Sequence, residues 1–257
     1  MCAVVPSLLP GVAQVWWARA EEARPGHDAL LTPADRARRS RLRRAADRRR
    51  STVAAAVVRL VLGAHAGAEP TALWIDRTCA RCGGQHGRPW LPEVPDLQFS
   101  VTHSAGWVAV AVFRGCPVGV DVEEVGLFED GELGSIADQA LAPEERAELA
   151  RLPSEDRARA FTTYWTRKEA LVKATGEGLA TPLDRLVVSP PAAPARVLRW
   201  AGHDDRASLR TLEAPPGLVG ALAVVGGTPL RVYEERADEL LDQTSRRLPG
   251  ATTRSQR

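Results

Sequence analysis

From Ser154 to Thr175 the chain contains neither proline nor glycine, and Gly176 and Gly178 follow at once. Phe161, Tyr164, Trp165, Leu171 and Val172 recur at helical spacing inside that stretch. Such a segment folds as one long amphipathic helix stopped by glycine, and it needs an apolar surface to lie on. At about 100° per residue, Lys168 falls within the apolar stripe, while Glu169 and Lys173 share its edge. A lysine in an apolar stripe is costly unless its head reaches water or an anion. Lysine plus arginine total 34, and Lys168 and Lys173 are the only lysines, so 34 − 2 = 32 are arginines. Arginine does not always replace a compact ammonium that must meet a phosphate. Two readings stay open. Glu169 and Lys173 form a weak surface salt bridge, or a carboxylate and two ammoniums are delivered together to a phosphate-bearing site.

At 257 residues the chain can bury a sizeable core, as one large domain or two small ones. With 44% hydrophobic and 26% charged residues it falls outside the disordered class. A net charge of +2 is too small for polyanion binding by the molecule as a whole. No apolar run reaches membrane-spanning length, and the opening MCAVVPSLLPG lacks the basic region of a secretory signal. The expectation is a cytoplasmic protein, away from membranes, with its four cysteines reduced.

Residues 14–20 (QVWWARA) read as a first strand. Thr32 and Pro33 form a helix start, N-cap and first helical position. Residues 36–50 hold nine arginines, and the helix is expected to continue unbroken into the apolar STVAAAVVRLVLG. That basic face is either solvated or a binding face for phosphate, an acidic protein or nucleic acid. Cys79 and Cys82 form a CxxC followed by His86, but Cys2 and Cys116 show no ligand-like spacing. Ligand counting therefore favours incidental thiols on a glycine-rich turn over a structural zinc.

Residues 87–91 (GRPWL) form a turn that presents Arg88. Strands follow at 99–104 (FSVTHS), 107–113 and 118–125. On the last, Asp121 and Glu123 leave one face while Val120 and Val122 leave the other. Two such carboxylates repel unless a cation or a proton lies between them, and hard oxygen ligands suit Mg²⁺ or Mn²⁺. His103 taken alone is more often a hydrogen-bonded structural histidine than a ligand or catalyst. A helix starts at 142–145, strands are expected at 186–188, 196–200, 207–212 and 218–225, a short helix at 233–242, and a polar frayed tail at 244–257. No internal repeat is evident.

Taken in order, GRPWL, FSVTHS, VGVDVE and WTRKEALVK form a series that resembles the 4′-phosphopantetheinyl transferases of the surfactin-synthetase type, from about residue 32 to residue 225. The resemblance implies an α+β pseudo-dimer, with halves 1–116 and 117–243, the tail 244–257, and a site in the cleft where the halves meet near 116–119. It implies Asp121, Glu123 and Glu169 around Mg²⁺, with Mn²⁺ as an alternative. It implies Arg38, Arg50, Arg88, Pro89, Thr102, His103, Asp121, Lys168 and Lys173 as contacts to coenzyme A. Glu169 and Lys173 become the catalytic pair: Glu169 as ligand or as acceptor of a serine proton, Lys173 against charge on the phosphate. The implied reaction moves phosphopantetheine from coenzyme A to a serine of an acyl or peptidyl carrier protein, releasing adenosine 3′,5′-bisphosphate. The implied enzyme is a monomer that does not bind nucleic acid. Three departures from the family pattern stand out: Ser100 replaces an asparagine, Thr102 replaces a serine while keeping its hydroxyl, and Asp35 replaces a lysine early in the basic helix. The rival readings are another Mg²⁺-dependent phosphotransferase or nuclease, and a non-catalytic module that docks acidic partners.

Overall fold

A computed structural model describes residues 5–79, 81–126, 130–178, 181–203, 207–226 and 230–247. Cys2 and tail residues 248–257 lie outside them. The chain opens with β1 (Val12–Arg19), then α1 (Pro33–Ser40), α2 (Ala45–Ala66), β2 (Leu97–Ser104) and β3 (Trp107–Arg114). After a tight turn come β4 (Val118–Glu124), α3 (Asp130–Ala140), α4 (Pro143–Arg151) and α5 (Ser154–Thr175). The hairpin β5 (Leu186–Val188) and β6 (Val197–Trp200) follows, then β7 (Ala207–Thr211), β8 (Leu218–Val225), β9 (Arg231–Arg236) and α6 (Asp238–Arg247).

The topology states itself twice. Strand, long helix and antiparallel hairpin give the order β2-β3-β1 in the first half and β7-β8-β4 in the second. The long helices α2 and α5 each have 22 residues and each end at a left-handed glycine, Gly67 and Gly176. This is the α+β pseudo-dimer that the motif order implied. A short sequence echo accompanies it. Leu31 to Ala37 (LTPADRA) opens α1, and Leu141 to Ala147 (LAPEERA) opens α4. The expectation of no internal repeat is corrected here, because two near-matching heptapeptides more than a hundred residues apart are lost in a chain whose halves otherwise share only pattern.

Alternation along the strands sorts side chains into three apolar layers. Trp16, Ala18, Val108, Val110 and Val112 face α2. Their neighbours Val15, Trp17, Ala109, Ala111 and Phe113 meet Val118, Val120, Val122, Leu222 and Val224 of the second sheet. On the far side, Phe161, Tyr164 and Leu171 of α5 pack on Ala221, Ala223 and Leu186. Each large apolar side chain so buried contributes roughly 1.5–3 kcal/mol, so the helix predicted from its stripe is held by the sheet under it. The approach of α5 to β4 needs a glycine. A Cβ at Gly119 would strike the backbone oxygen of Ala170 and come within 2.5 Å of the Ala174 nitrogen.

Two expected elements differ. The arginine-rich helix is broken between Ser40 and Ala45, because a continuous helix would stack like charges at i, i+4 spacing. Arg48 Nη1 instead donates to the carbonyls of Leu42 (3.0 Å) and Arg43 (2.8 Å) at the break. The helix expected at 233–242 begins only at Asp238, and residues 231–236 are a strand parallel to β1. The ladder on the open edge of β1, with Trp17 Nε1 donating to Glu234 (2.8 Å), outweighs any helical preference there. The C-terminal segment thus returns to the first sheet, and α6 keeps the first residues of the expected tail, 244–247, helical.

Candidate active site

The edge strands β2 and β4 run side by side without a shared backbone ladder; hydroxyl side chains join them instead. Ser100 Oγ accepts from the Val120 amide (3.1 Å), and Ser104 Oγ accepts from the Glu124 amide (3.0 Å). Thr102 Oγ1 donates to Asp121 Oδ1 (3.2 Å), and Ser104 Oγ donates to Glu123 Oε2 (2.8 Å). Short hydroxyl chains reach neighbouring backbone groups that a sheet would otherwise pair. The departure at Ser100 therefore has a defined role: it fastens one half to the other.

Asp121 and Glu123 leave β4 on the side of α5, as their spacing predicts. Lys173 Nζ meets Asp121 Oδ1 at 2.6 Å and Thr102 Oγ1 at 3.2 Å, so its anionic partner is Asp121 on the neighbouring β4. Burial and the nearby Asp121 charge push the carboxyl of Glu123 above its ordinary range, against the Ser104 hydrogen bond and Lys173. Burial and Asp121 likewise push up Glu169, with Lys173 opposing. Three carboxylates compete here for one lysine. Asp121 Oδ2 is buried with no hydrogen-bond partner. The chemistry of this hard oxygen set, with surplus negative charge and an unsatisfied carboxylate oxygen, suits a divalent cation of the magnesium class, although the three carboxylates are not all gathered within 4.8 Å of one another.

Two hollows that share lining residues open at the site. The wider, about 570 Å³, is lined by Arg38, Arg50, Arg59, Arg77 and His103. The narrower, about 310 Å³, is lined by Arg77, His86, Arg88, Pro89, Glu169 and Lys173. Arg77 and Val101 line both. Buried Nε atoms of Arg50, Arg77 and Arg88 have no hydrogen-bond partner, although every buried donor left unmade costs about 1–3 kcal/mol. Arg50 is held in place by Asp47 and the Ala105 carbonyl, and Arg88 by Gln98 Oε1 (2.5 Å). His103 has its pKa lowered by desolvation and by the cations Arg50 and Lys173. The two hollows are thus lined mainly by cations, with Asp35 and Asp47 in the wider and Glu169 in the narrower.

Lys168 stands outside this assembly. Its side chain is 0% exposed, and Nζ donates to Glu145 Oε2 (2.5 Å), Ala140 O (2.7 Å) and Leu183 O (2.9 Å). All three ammonium hydrogens are used, so the expected contact to coenzyme A is corrected to a buried clamp of α5 on α4. Asp35 plays the matching part in the first half. It takes hydrogen bonds from Thr32 and pairs with Arg59 Nη2 at 2.8 Å, and it also pairs with Arg38. Burial alone would raise its carboxyl, but the Thr32 hydrogen bonds and Arg59 hold it below the usual range.

Sequence reasoning missed Arg77, Glu145 and Ser104. Arg77 is one among 32 arginines with no spacing to mark it. Glu145 could have been found, since it occupies the third helical position after Pro143 where a capping carboxylate is expected.

A family model described as the 4′-phosphopantetheinyl transferase superfamily matches residues 117–223. The 4′-phosphopantetheinyl transferase HetI of a Nostoc species is 31% identical over 201 residues, which span 77% of this chain and 80% of that protein. The 4′-phosphopantetheinyl transferase Sfp of Bacillus subtilis is 30% identical over 104 residues, spanning 40% of this chain and 44% of its own length. Among solved structures, a holo-(acyl-carrier-protein) synthase from Bacillus anthracis in complex with CoA (3′,5′-ADP) is similar at 18% identity and a TM-score of 0.37, covering 43% of this chain and 97% of that one. An identity of that level sustained over four-fifths of the Nostoc protein settles the kinship: this chain belongs to the 4′-phosphopantetheinyl transferase superfamily.

Proposed function

We propose that this chain transfers the phosphopantetheine arm of coenzyme A to a serine hydroxyl of an acyl or peptidyl carrier protein. The observation that carries the reading is that three of the four unpartnered buried arginine Nε atoms among the described residues, those of Arg50, Arg77 and Arg88, belong to residues that line the two hollows, and that Asp121 Oδ2 is unpartnered too. A ligand that bears several phosphates and brings a divalent cation satisfies both at once.

Arg38, Arg50 and His103 take the nucleotide's phosphate in the wider hollow. Arg77 and Arg88 hold the pyrophosphate between the two hollows, against Pro89. Asp121, Glu123 and Glu169 would hold Mg²⁺, or Mn²⁺, which neutralises pyrophosphate charge when bound. Glu169, the one of these three that lines the narrower hollow, takes the proton of the serine hydroxyl. The serine oxygen bonds to the β-phosphorus, the bond from that phosphorus to the bridging oxygen breaks, and adenosine 3′,5′-bisphosphate leaves. Lys173 offsets charge on the phosphate, with Thr102 and Asp121 fixing its ammonium. This is positioning and charge neutralisation in a chemistry that asks little covalent participation of the protein. A cleft sized for one nucleotide favours coenzyme A over a nucleic acid strand. No helix among the described residues is long and apolar enough to cross a membrane, which suits a carrier-protein partner in the cytoplasm.

The test is intact mass. A carrier domain incubated with this chain, coenzyme A and Mg²⁺ is expected to gain about 340 Da, the mass of the transferred group in this reaction class. No gain with carrier proteins of either class, at saturating coenzyme A, would overturn the proposal.

A further inference from the structure

The loop between Asp76 and Trp90 is closed at its base. Trp90 and Asp76 exchange backbone hydrogen bonds of 3.0 Å each, and the Gly87 amide donates to Arg77 O at 2.7 Å. At its tip stand Cys79, Cys82 and His86. One ligand atom from each, two sulfurs and a ring nitrogen, lie within 4.8 Å of one another, and Cys82 Sγ is 3.0 Å from His86 Nε2. Among the described residues this is the one His/Cys/Asp/Glu trio gathered that closely.

The backbone around the sulfurs is wound to receive a charge. The Cys79 amide donates to Gly84 O (2.7 Å), and the Gly83 amide donates to Cys79 O (2.8 Å), a turn that Gly83 completes at a φ of +70°. The Gly84 amide donates to Cys82 Sγ at 3.4 Å, and a donor at a sulfur favours the thiolate, the form that ligates a metal. Ligand counting along the sequence disfavours a metal here. The folded loop argues the other way, because it has already brought two sulfurs and a ring nitrogen to one point.

We propose that Cys79, Cys82 and His86 bind one soft divalent cation of the zinc class, with solvent in the fourth position. Two thiolates and one imidazole match that class, and the carboxylates in the cleft match the harder magnesium class, so one chain sorts two cations by ligand softness. Its consequence, which rests on the proposed function, is that the cation stiffens the loop whose legs carry Arg77 and Arg88. Both arginines line the hollow in which His86 also stands.

The test starts with the full chain, reduced, washed with chelator and titrated with Co²⁺ in the absence of oxygen. The expected result is sulfur-to-cobalt charge-transfer absorption with the visible bands of a tetrahedral site, saturating at one equivalent and bleached by Zn²⁺. Cys79→Ser/Cys82→Ser should abolish the absorption, and His86→Ala should weaken binding at least about tenfold. Failure to develop the absorption while thiol titration shows both cysteines reduced overturns the site. Absorption that persists in the double serine variant overturns it too, since the metal then lies elsewhere. Loop stiffening is read by hydrogen exchange of residues 77–88, expected to slow on Zn²⁺ addition; unchanged exchange overturns that consequence. Neither readout uses transfer activity, so a chain that binds Co²⁺ as described but modifies no carrier protein overturns the proposed function and leaves the site standing.

Discussion

The two halves share one plan and put it to different uses. In each, a short helix opened by proline offers a carboxylate at its third position to a cation on the long helix that follows: Asp35 to Arg59 in the first half, Glu145 to Lys168 in the second. Both pairs are buried, with side-chain exposures of 6% and 4% in the first and 2% and 0% in the second. Beyond those clamps the halves diverge. The first half presents arginines and a histidine to a wide hollow, planar donors suited to gripping phosphate oxygens. The second pairs one compact ammonium, Lys173, with Asp121 and sets Glu123 and Glu169 nearby. Duplicating a scaffold keeps the clamp, which sets where each long helix lies, and frees the residues one turn along for different chemistry. Lys168 and Lys173 show the division on a single helix, the first buried in the clamp and the second 31% exposed in the cleft.

The largest effect should come from breaking a clamp. Glu145 also accepts from the amides of Ala142 (2.8 Å) and Val188 (2.9 Å), so Glu145→Ala leaves a buried ammonium and two amides uncompensated. It is expected to cost about 3–5 kcal/mol in urea unfolding, whereas Lys173→Ala, which leaves Asp121 its Thr102 hydrogen bond and removes a part-exposed ammonium, costs less. Equal losses would erase the distinction between the two lysines.

Next come the carboxylates of the second half. Glu123→Gln should lower kcat/KM for phosphopantetheine transfer on the order of a hundredfold, about 2.7 kcal/mol, with an unchanged melting temperature. Wild-type rates in this variant would remove the acidic role assigned to the second half.

A smaller change tests the shape of the cation. Lys173→Arg keeps the charge and alters its geometry beside Asp121 and Thr102. Steady-state transfer at saturating Mg²⁺ should fall roughly tenfold, about 1.4 kcal/mol, if an ammonium must meet phosphate there. An unaffected rate would make Lys173 a mere counter-charge to Asp121.

The smallest effect lies outside neutral pH. The folded-state carboxyl of Asp35 titrates below its ordinary value of 3.8. Its contribution to stability is therefore full above that value and is lost as pH falls through the lowered, folded one. Denaturant midpoints of the wild type should fall with pH in that acid range more steeply than those of Asp35→Asn. Parallel pH profiles would show that the first clamp is not ionic.

Much of this could be read from the residues. The helix Ser154–Thr175 was legible because apolar period, absence of breakers and a terminal glycine all agree. The shared face of Asp121 and Glu123 followed from the two-residue period of a strand, and the start at Thr32 and Pro33 from capping chemistry. The motif order pointed to the same family as the relatives that match the chain. What the residues left open concerned partners distant in the sequence. Whether Lys168 meets a ligand or Glu145 depends on where α4 is laid against α5, 23 residues away along the chain. Residues 231–236 become strand because β1 leaves an open edge beside them, a fact of the sheet and not of the segment. Arg77 becomes a cleft residue, and Cys79, Cys82 and His86 become a cluster, only when the loop between Asp76 and Trp90 closes. Local periodicity and capping are short-range and act through neighbouring residues, so they determined most of the elements, residues 231–236 and the break after Ser40 excepted. Which charge meets which is decided by packing across the cleft, where desolvation makes an unpaired group too costly to leave, and only the tertiary structure makes that choice.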